Sequence, residues 1–128
     1  LDLYAGSGAV GLEAASEGFE VVLVEKDPEA IRCLRENARR ARLSVRIEGK
    51  PVERYLLEAQ QRGLRFTVAF MAPPYPHDLV QDFERLRQAS VVEPGGLCIL
   101  QHPAELALLL GERRVYGHNA LTIVEVGE

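Results

Sequence analysis

Six residues near the start, Gly6-Ser7-Gly8-Ala9-Val10-Gly11, constrain this chain more than any other feature. They follow the apolar stretch Leu1 to Tyr4 and lead into small residues from Ala9 to Glu17, so a G-x-G-x-x-G stands between a strand and a helix stopped by Gly18. In that setting glycine lets a ligand approach the backbone, and the first N–H groups of the helix favour negative groups. Glu25, 19 positions after Gly6, closes the next apolar run, where a nucleotide ribose would offer two hydroxyl donors. The implied ligand is a dinucleotide or another adenosine compound.

The rest of the chain repeats the alternation. Phe19 to Val24 reads as a buried parallel strand, and Asp27-Pro28 caps a helix with Ile31, Leu34, Ala38 and Ala41 on one face. Leu43 to Ile47 is the next strand, and Val52, Tyr55, Leu56 and Ala59 mark a helix ending near Gly63. Phe66 to Met71 is a strand that Pro73 and Pro74 bring to an end, and Leu79, Phe83 and Leu86 form the stripe of a fourth helix. Pro94-Gly95-Gly96 turns into the strand Leu97 to Leu100. A short Ala/Leu-rich helix follows, then closing strands Arg113 to Tyr116 and Leu121 to Val126 around Gly117-His118-Asn119. Such a chain predicts an open, mostly parallel α/β sheet with helices on both faces and an antiparallel closing hairpin, its ligands held just beyond the strands' carboxyl ends.

With 128 residues, 47% of them hydrophobic, residues 1–128 are expected to form one domain. No apolar run reaches the roughly 18 residues of a membrane span, so a soluble protein with no membrane partner is expected. The start at Leu1-Asp2-Leu3-Tyr4, without Met or a polar lead-in, leads to the expectation of a further segment ahead of it. Cys33 and Cys98, each among apolar neighbours, read as buried reduced thiols of a cytoplasmic protein. A net charge of −4 argues against a nucleic-acid binder held by bulk electrostatics. The chain alone is therefore expected to bind RNA weakly.

Asp2 discriminates between the adenosine compounds. A carboxylate in a central strand costs several kcal/mol unless it has partners, so loop N–H groups or a cationic ligand should hold it. The diphosphate of NAD would be repelled there. The ammonium and sulfonium of S-adenosyl-L-methionine would be attracted.

The stretch from Leu1 to Ala14, with Glu25, Ala72-Pro73-Pro74-Tyr75, Pro94-Gly95-Gly96, Tyr116-Gly117 and Leu121, resembles in order the motifs of the RsmD family. These are bacterial methyltransferases acting on the exocyclic N2 of a guanine in small-subunit ribosomal RNA. The resemblance implies a Rossmann-like class I methyltransferase fold with a seven-stranded sheet, S-adenosyl-L-methionine as cofactor, ribosomal RNA or the small ribosomal subunit as partner, and a monomer. It places Asp2, Tyr4, Gly6, Ser7, Gly8, Glu25 and Val52 around the cofactor. It also gives Pro73 a carbonyl that accepts from the amine, Pro74 a stiffening role and Tyr75 a stacking platform for a base turned out of its surroundings.

Two positions depart from that family. Ala72 stands where an Asp or Asn would accept from the amine, and loss of one such group commonly costs about two to three orders of magnitude in rate. Pro51-Val52 stands where an Asp would accept from the adenine amino group, leaving the Val52 N–H. A non-catalytic binding module therefore stays open beside the enzyme, as does, more remotely, an NAD-dependent oxidoreductase. The basic run Arg32, Arg35, Arg39, Arg40, Arg42 and Arg46 is interrupted by acids and reads as a solvated face, whereas Arg113 and Arg114 beside Tyr116 have a better claim to RNA. His77, His102 and His118 have no ligand spacing, and no metal site is expected.

Overall fold

The computed structural model describes residues 1–74, 78–106 and 111–127, and the chain forms two compact units, Leu1–Tyr55 and Leu56–Glu128. In the first, β1 (Asp2–Leu3), β2 (Val22–Glu25) and β3 (Arg46–Gly49) form a parallel ladder in the order β3-β2-β1, with Asp2 opposite Leu23 and Val22 opposite Arg46. Helix α1 (Ala9–Ser16) connects β1 to β2, and α2 (Pro28–Arg40) connects β2 to β3. Leu3, Leu23, Val24, Leu34 and Ala38 are buried. The Asp27 carboxylate accepts from the Ala30 N–H, as its cap position requires, and Pro28 stands at the first turn.

Three consecutive helices end alike. After α1 the Phe19 N–H donates to the Ala14 carbonyl with Gly18 at φ 96°, and after α2 the Leu43 N–H donates to Ala38 with Arg42 at φ 56°. After α3 (Val52–Gln61) the Leu64 N–H donates to Ala59 with Gly63 at φ 66°. This is the Schellman closure, in which the residue after the left-handed position is apolar and folds back on the helix. It corrects two strand boundaries. Phe19 is a helix-closing residue, 59% exposed, and β2 starts only at Val22; Leu43 likewise closes α2, and β3 runs from Arg46 to Gly49 instead of Leu43 to Ile47.

The second unit contains β4 (Phe66–Met71), α4 (Leu79–Ala89), β5 (Val92–Pro103), β6 (Glu112–Tyr116) and β7 (Asn119–Glu125). Strand β5 runs parallel to β4 and antiparallel to β7, which pairs antiparallel with β6. Pro94-Gly95-Gly96 lies inside β5 as an irregularity. The register jumps there from Phe66 opposite Val92 to Val68 opposite Leu97, and a Cβ on Gly96 would come within 2.6 Å of the Thr67 carbonyl. The closing hairpin turns on Gly117 and His118, with Gly117 at φ 60° in the first central position. Ala69, Met71, Phe83, Leu86 and Leu100 form the core of this unit. Of the expected Ala/Leu-rich helix, Ala104 to Leu106 form a turn and bend, and 107–110 lie outside the described residues.

The cysteines divide. Cys98 is buried, and burial pushes its thiol up to about 11. Cys33 is exposed, contrary to expectation, because it lies off the α2 stripe of Leu34 and Ala38 despite its apolar neighbours in sequence. No helix among the described residues is long and apolar enough to cross a membrane.

Candidate functional site

The glycine loop is built around two carboxylates. Asp2 is 3% exposed, and its Oδ2 accepts from the Gly11 N–H at 3.0 Å. Burial raises its carboxyl to about 6, against the pull of that N–H, and the negative charge of Glu25 adds to the rise. Of the two holders expected, loop N–H or cation, the first is in place. The approach is possible because position 11 has no side chain. A Cβ there would meet Leu23 Cδ2 at 2.6 Å and Asp2 Oδ2 at 2.8 Å. Gly11→Ala is accordingly expected to destabilise the protein by about 1–3 kcal/mol through overpacking, read as a lowered urea midpoint.

Glu25 ties the loop to the next helix. Its Oε1 accepts from the Gly6 N–H at 2.8 Å, and its Oε2 accepts from the Lys26 and Asp27 N–H groups at 3.0 and 2.9 Å. Two carboxylate oxygens offer about four lone-pair sites, so these three bonds leave capacity for a further donor. Tyr4 leaves β1 at φ 62°, a conformation bulky side chains rarely adopt, and this turns the chain into the loop. Gly6 at φ 59° and Gly8 at φ 90° continue the reversal, with the Gly8 N–H bonded to Ala5. Gly8 caps α1 with no side chain of its own, and of the first N–H groups of that helix the Gly11 N–H is taken by Asp2.

Asn37 was not legible as part of this site. Its amide Nδ2 donates to the exposed Ser7 carbonyl at 3.0 Å and pins the loop from α2. A weak helix former in mid-helix was the available signal. Val52 is buried at the first position of α3, where its N–H lies ahead of the helix's own ladder.

Ala72, Pro73 and Pro74 belong to the second unit, directly after β4; Tyr75 lies outside the described residues. Pro73 and Pro74 border a cavity of about 310 Å³, with Leu79 at the start of α4 and Gln101 to Pro103 at the end of β5. Asp78 caps α4 beside it, accepting from the Gln81 N–H at 3.1 Å. His102 is buried, with Nδ1 2.9 Å from the Pro103 carbonyl and Nε2 2.7 Å from the Thr122 hydroxyl. A carbonyl only accepts, so Nδ1 carries the proton and Thr122 donates to Nε2. Both ring nitrogens are thereby spent on structure.

The basic run on α2 is partly neutralised. Arg32 pairs with Glu29, Arg39 and Arg40 with Glu36, and Arg46 with Glu48. Hydrogen bonds from Arg39 and Arg40 hold Glu36 at about 2. On β6, Arg114 pairs with Glu112, and Arg113 donates to the Ala104 carbonyl, while Tyr116 is exposed.

Residues 1–124 match the family described as Conserved hypothetical protein 95. A hypothetical protein of Thermus thermophilus, of solved structure, is 65% identical with a TM-score of 0.95, over 98% of this chain and 73% of its own. "Putative rRNA methyltransferase YlbH" of Bacillus subtilis (strain 168) is 32% identical over 112 residues, 84% of this chain; the chain spans 61% of that relative's length. The 16S rRNA N2 G1207 methyltransferase RsmC of T. thermophilus, solved with AdoMet and guanosine, is 24% identical with a TM-score of 0.80, over 98% of this chain and 36% of its own, a likeness of fold. The class I methyltransferase fold is therefore the fold of this chain. The glycine loop, Glu25 and the Pro-Pro pair after β4 stand in the order the motifs require, and the match runs through 124 of 128 residues: the chain belongs to the Conserved hypothetical protein 95 family, the RsmD family.

Proposed function

We propose that this chain binds S-adenosyl-L-methionine and methylates the exocyclic N2 amine of a guanine in small-subunit ribosomal RNA. The observation that carries the reading is the buried Asp2 carboxylate beneath the glycine loop, bonded to the Gly11 N–H at the start of α1. A diphosphate would meet that carboxylate with like charge, whereas an ammonium would find a partner, which supports S-adenosylmethionine over NAD. The family and the name of the Bacillus relative support ribosomal RNA as substrate.

The residues divide the work as follows. Asp2 and the loop Gly6 to Gly8 hold the methionine end, Glu25 accepts from a ribose hydroxyl with its remaining lone pair, and Tyr4, Ser7 and Val52 complete the cofactor's surroundings. When bound, S-adenosylmethionine supplies an electrophilic methyl whose bond to sulfur breaks as its bond to N2 forms, leaving a neutral thioether while N2 loses a proton to water. An exocyclic amine delocalises its lone pair into the ring, so the protein must hold the amine's hydrogens to aim that pair. The Pro73 carbonyl accepts one of them, Pro74 fixes the turn and Tyr75 stacks on the base. We place the protein in the cytoplasm as a monomer acting on ribosomal RNA or the small subunit.

Ala72 favours a second reading, a module that binds the cofactor or RNA without turnover. Calorimetry with S-adenosylmethionine and NAD tests the cofactor half of the proposal: binding of the former alone supports it, and binding of NAD alone overturns it. Glu25→Ala is expected to weaken S-adenosylmethionine by about 1–3 kcal/mol through lost charge-assisted hydrogen bonds, and an unchanged Kd would remove Glu25 from the site.

A further inference from the structure

The cavity beside Pro73 and Pro74 has a polarity that selects its occupant. His102 cannot read a ligand, because its two ring nitrogens are engaged with Pro103 and Thr122. Leu79 and Leu106 offer apolar wall. Gln101 brings a neutral amide, and Glu105 brings the one carboxylate among the described lining residues. Glu105 is exposed, and no described residue hydrogen-bonds or ion-pairs with it. An ionised carboxylate only accepts, so the matching ligand edge carries two adjacent donors. Guanine has such an edge in N1–H and N2–H. Adenine and cytosine set a ring lone pair beside the amine, and uracil sets its single N–H between two carbonyls, so each would place an acceptor against the carboxylate.

We propose that Glu105 receives the N1–H and N2–H edge of the target guanine and supplies the acceptor that Ala72 lacks. The inference rests on the methyl-transfer reading above. Glu105 and the Pro73 carbonyl then take one N2 hydrogen each, the task a side chain at position 72 would share.

The test compares guanosine with 2-aminopurine riboside, which keeps the amine but replaces N1–H with a lone pair. Titration followed by NMR is expected to show the unsubstituted protein preferring guanosine by roughly tenfold or more. Glu105→Gln, whose amide can donate to a ring nitrogen, should bring the ratio close to one while leaving S-adenosylmethionine affinity unchanged. In a labelled-methyl assay on small-subunit RNA, Glu105→Ala should lower kcat by roughly two orders of magnitude, and adding Ala72→Asn should recover at least tenfold of it. A guanosine preference untouched by Glu105→Gln, with RNA still methylated, overturns this inference alone. No methylation and no guanosine binding by the unsubstituted protein overturns it together with the methyl-transfer reading.

Discussion

S-adenosylmethionine affinity is expected to fall about tenfold for each pH unit below about 6, because the Asp2 carboxyl, raised to about 6 by burial, must lose its proton before it can pair with a cation. Binding there expels a proton, and the dependence continues down to the lower pKa that Asp2 acquires once paired. Asp2→Asn should remove the pH dependence and weaken binding at pH about 8 by roughly 1.5–3 kcal/mol, the value of a hydrogen bond to a charged group. Folding stability carries the opposite sign. A carboxyl at about 6 in the folded chain against 3.8 otherwise contributes stability that is fully present below 3.8 and lost as pH rises through about 6, on the order of 3 kcal/mol. Calorimetric titrations from about pH 5 to 8, paired with urea melts of the free protein and of Asp2→Asn, should therefore show affinity and the Asp2 contribution to stability moving in opposite directions. A flat affinity profile would detach Asp2 from the cofactor.

Gly8→Ala is expected to lower the unfolding free energy by roughly 2–5 kcal/mol, the sum of left-handed strain and overpacking. Gly8 sits at φ 90°, and a Cβ there would fall on the Leu34 side chain, with Leu12 Cδ1 at 3.1 Å behind it. Leu34 is fully buried, so it has little room to yield. Gly63→Ala provides the contrast, since position 63 has φ 66° but open space around it. Urea denaturation of the two variants should show the larger loss at Gly8, with the difference attributable to packing. Equal losses would mean that Leu34 moves aside without cost.

How far the sequence was legible follows from what each residue had to satisfy locally. The glycine loop, the Asp27-Pro28 cap and β4 from Phe66 to Met71 fall where the pattern puts them, because each is determined by neighbours a few positions away. The apolar pattern sets the starts of β2 and β3 too early for a single reason. The apolar residues Phe19 and Leu43 belong to helix closure, and hydrophobicity alone does not separate a closing residue from the first residue of a strand. Gly18 announced one such closure; Arg42, in the same left-handed position, did not. Asp2 and Glu25 were legible as site residues, but their partners were not. The bonds from Gly11 and Gly6 span nine and 19 residues, and Asn37 reaches Ser7 across 30. Glu105 was equally silent, because an acid in a Pro/Ala-rich turn acquires meaning only beside the cavity that Pro73 and Gln101 share with it.

The charge pattern bears on the RNA partner. The pairing of Arg32, Arg39, Arg40 and Arg46 with nearby acids offsets part of the positive charge of the α2 and β3 basic run, although these arginines stay exposed. Arg35 and Arg42 make no ion pair among the described residues, and exposed Tyr116 stands beside Arg114 on β6.

The measurement that tests the proposed reaction most directly is methyl transfer itself, with the modified nucleoside identified. The protein is incubated with labelled S-adenosylmethionine and small ribosomal subunits or their RNA, and the RNA is digested and separated. We expect the label in N2-methylguanosine, at a level that falls with Glu25→Ala. Label in another nucleoside would contradict the assigned target, and cofactor binding without incorporation into RNA or subunits would contradict the enzyme and leave a binding module.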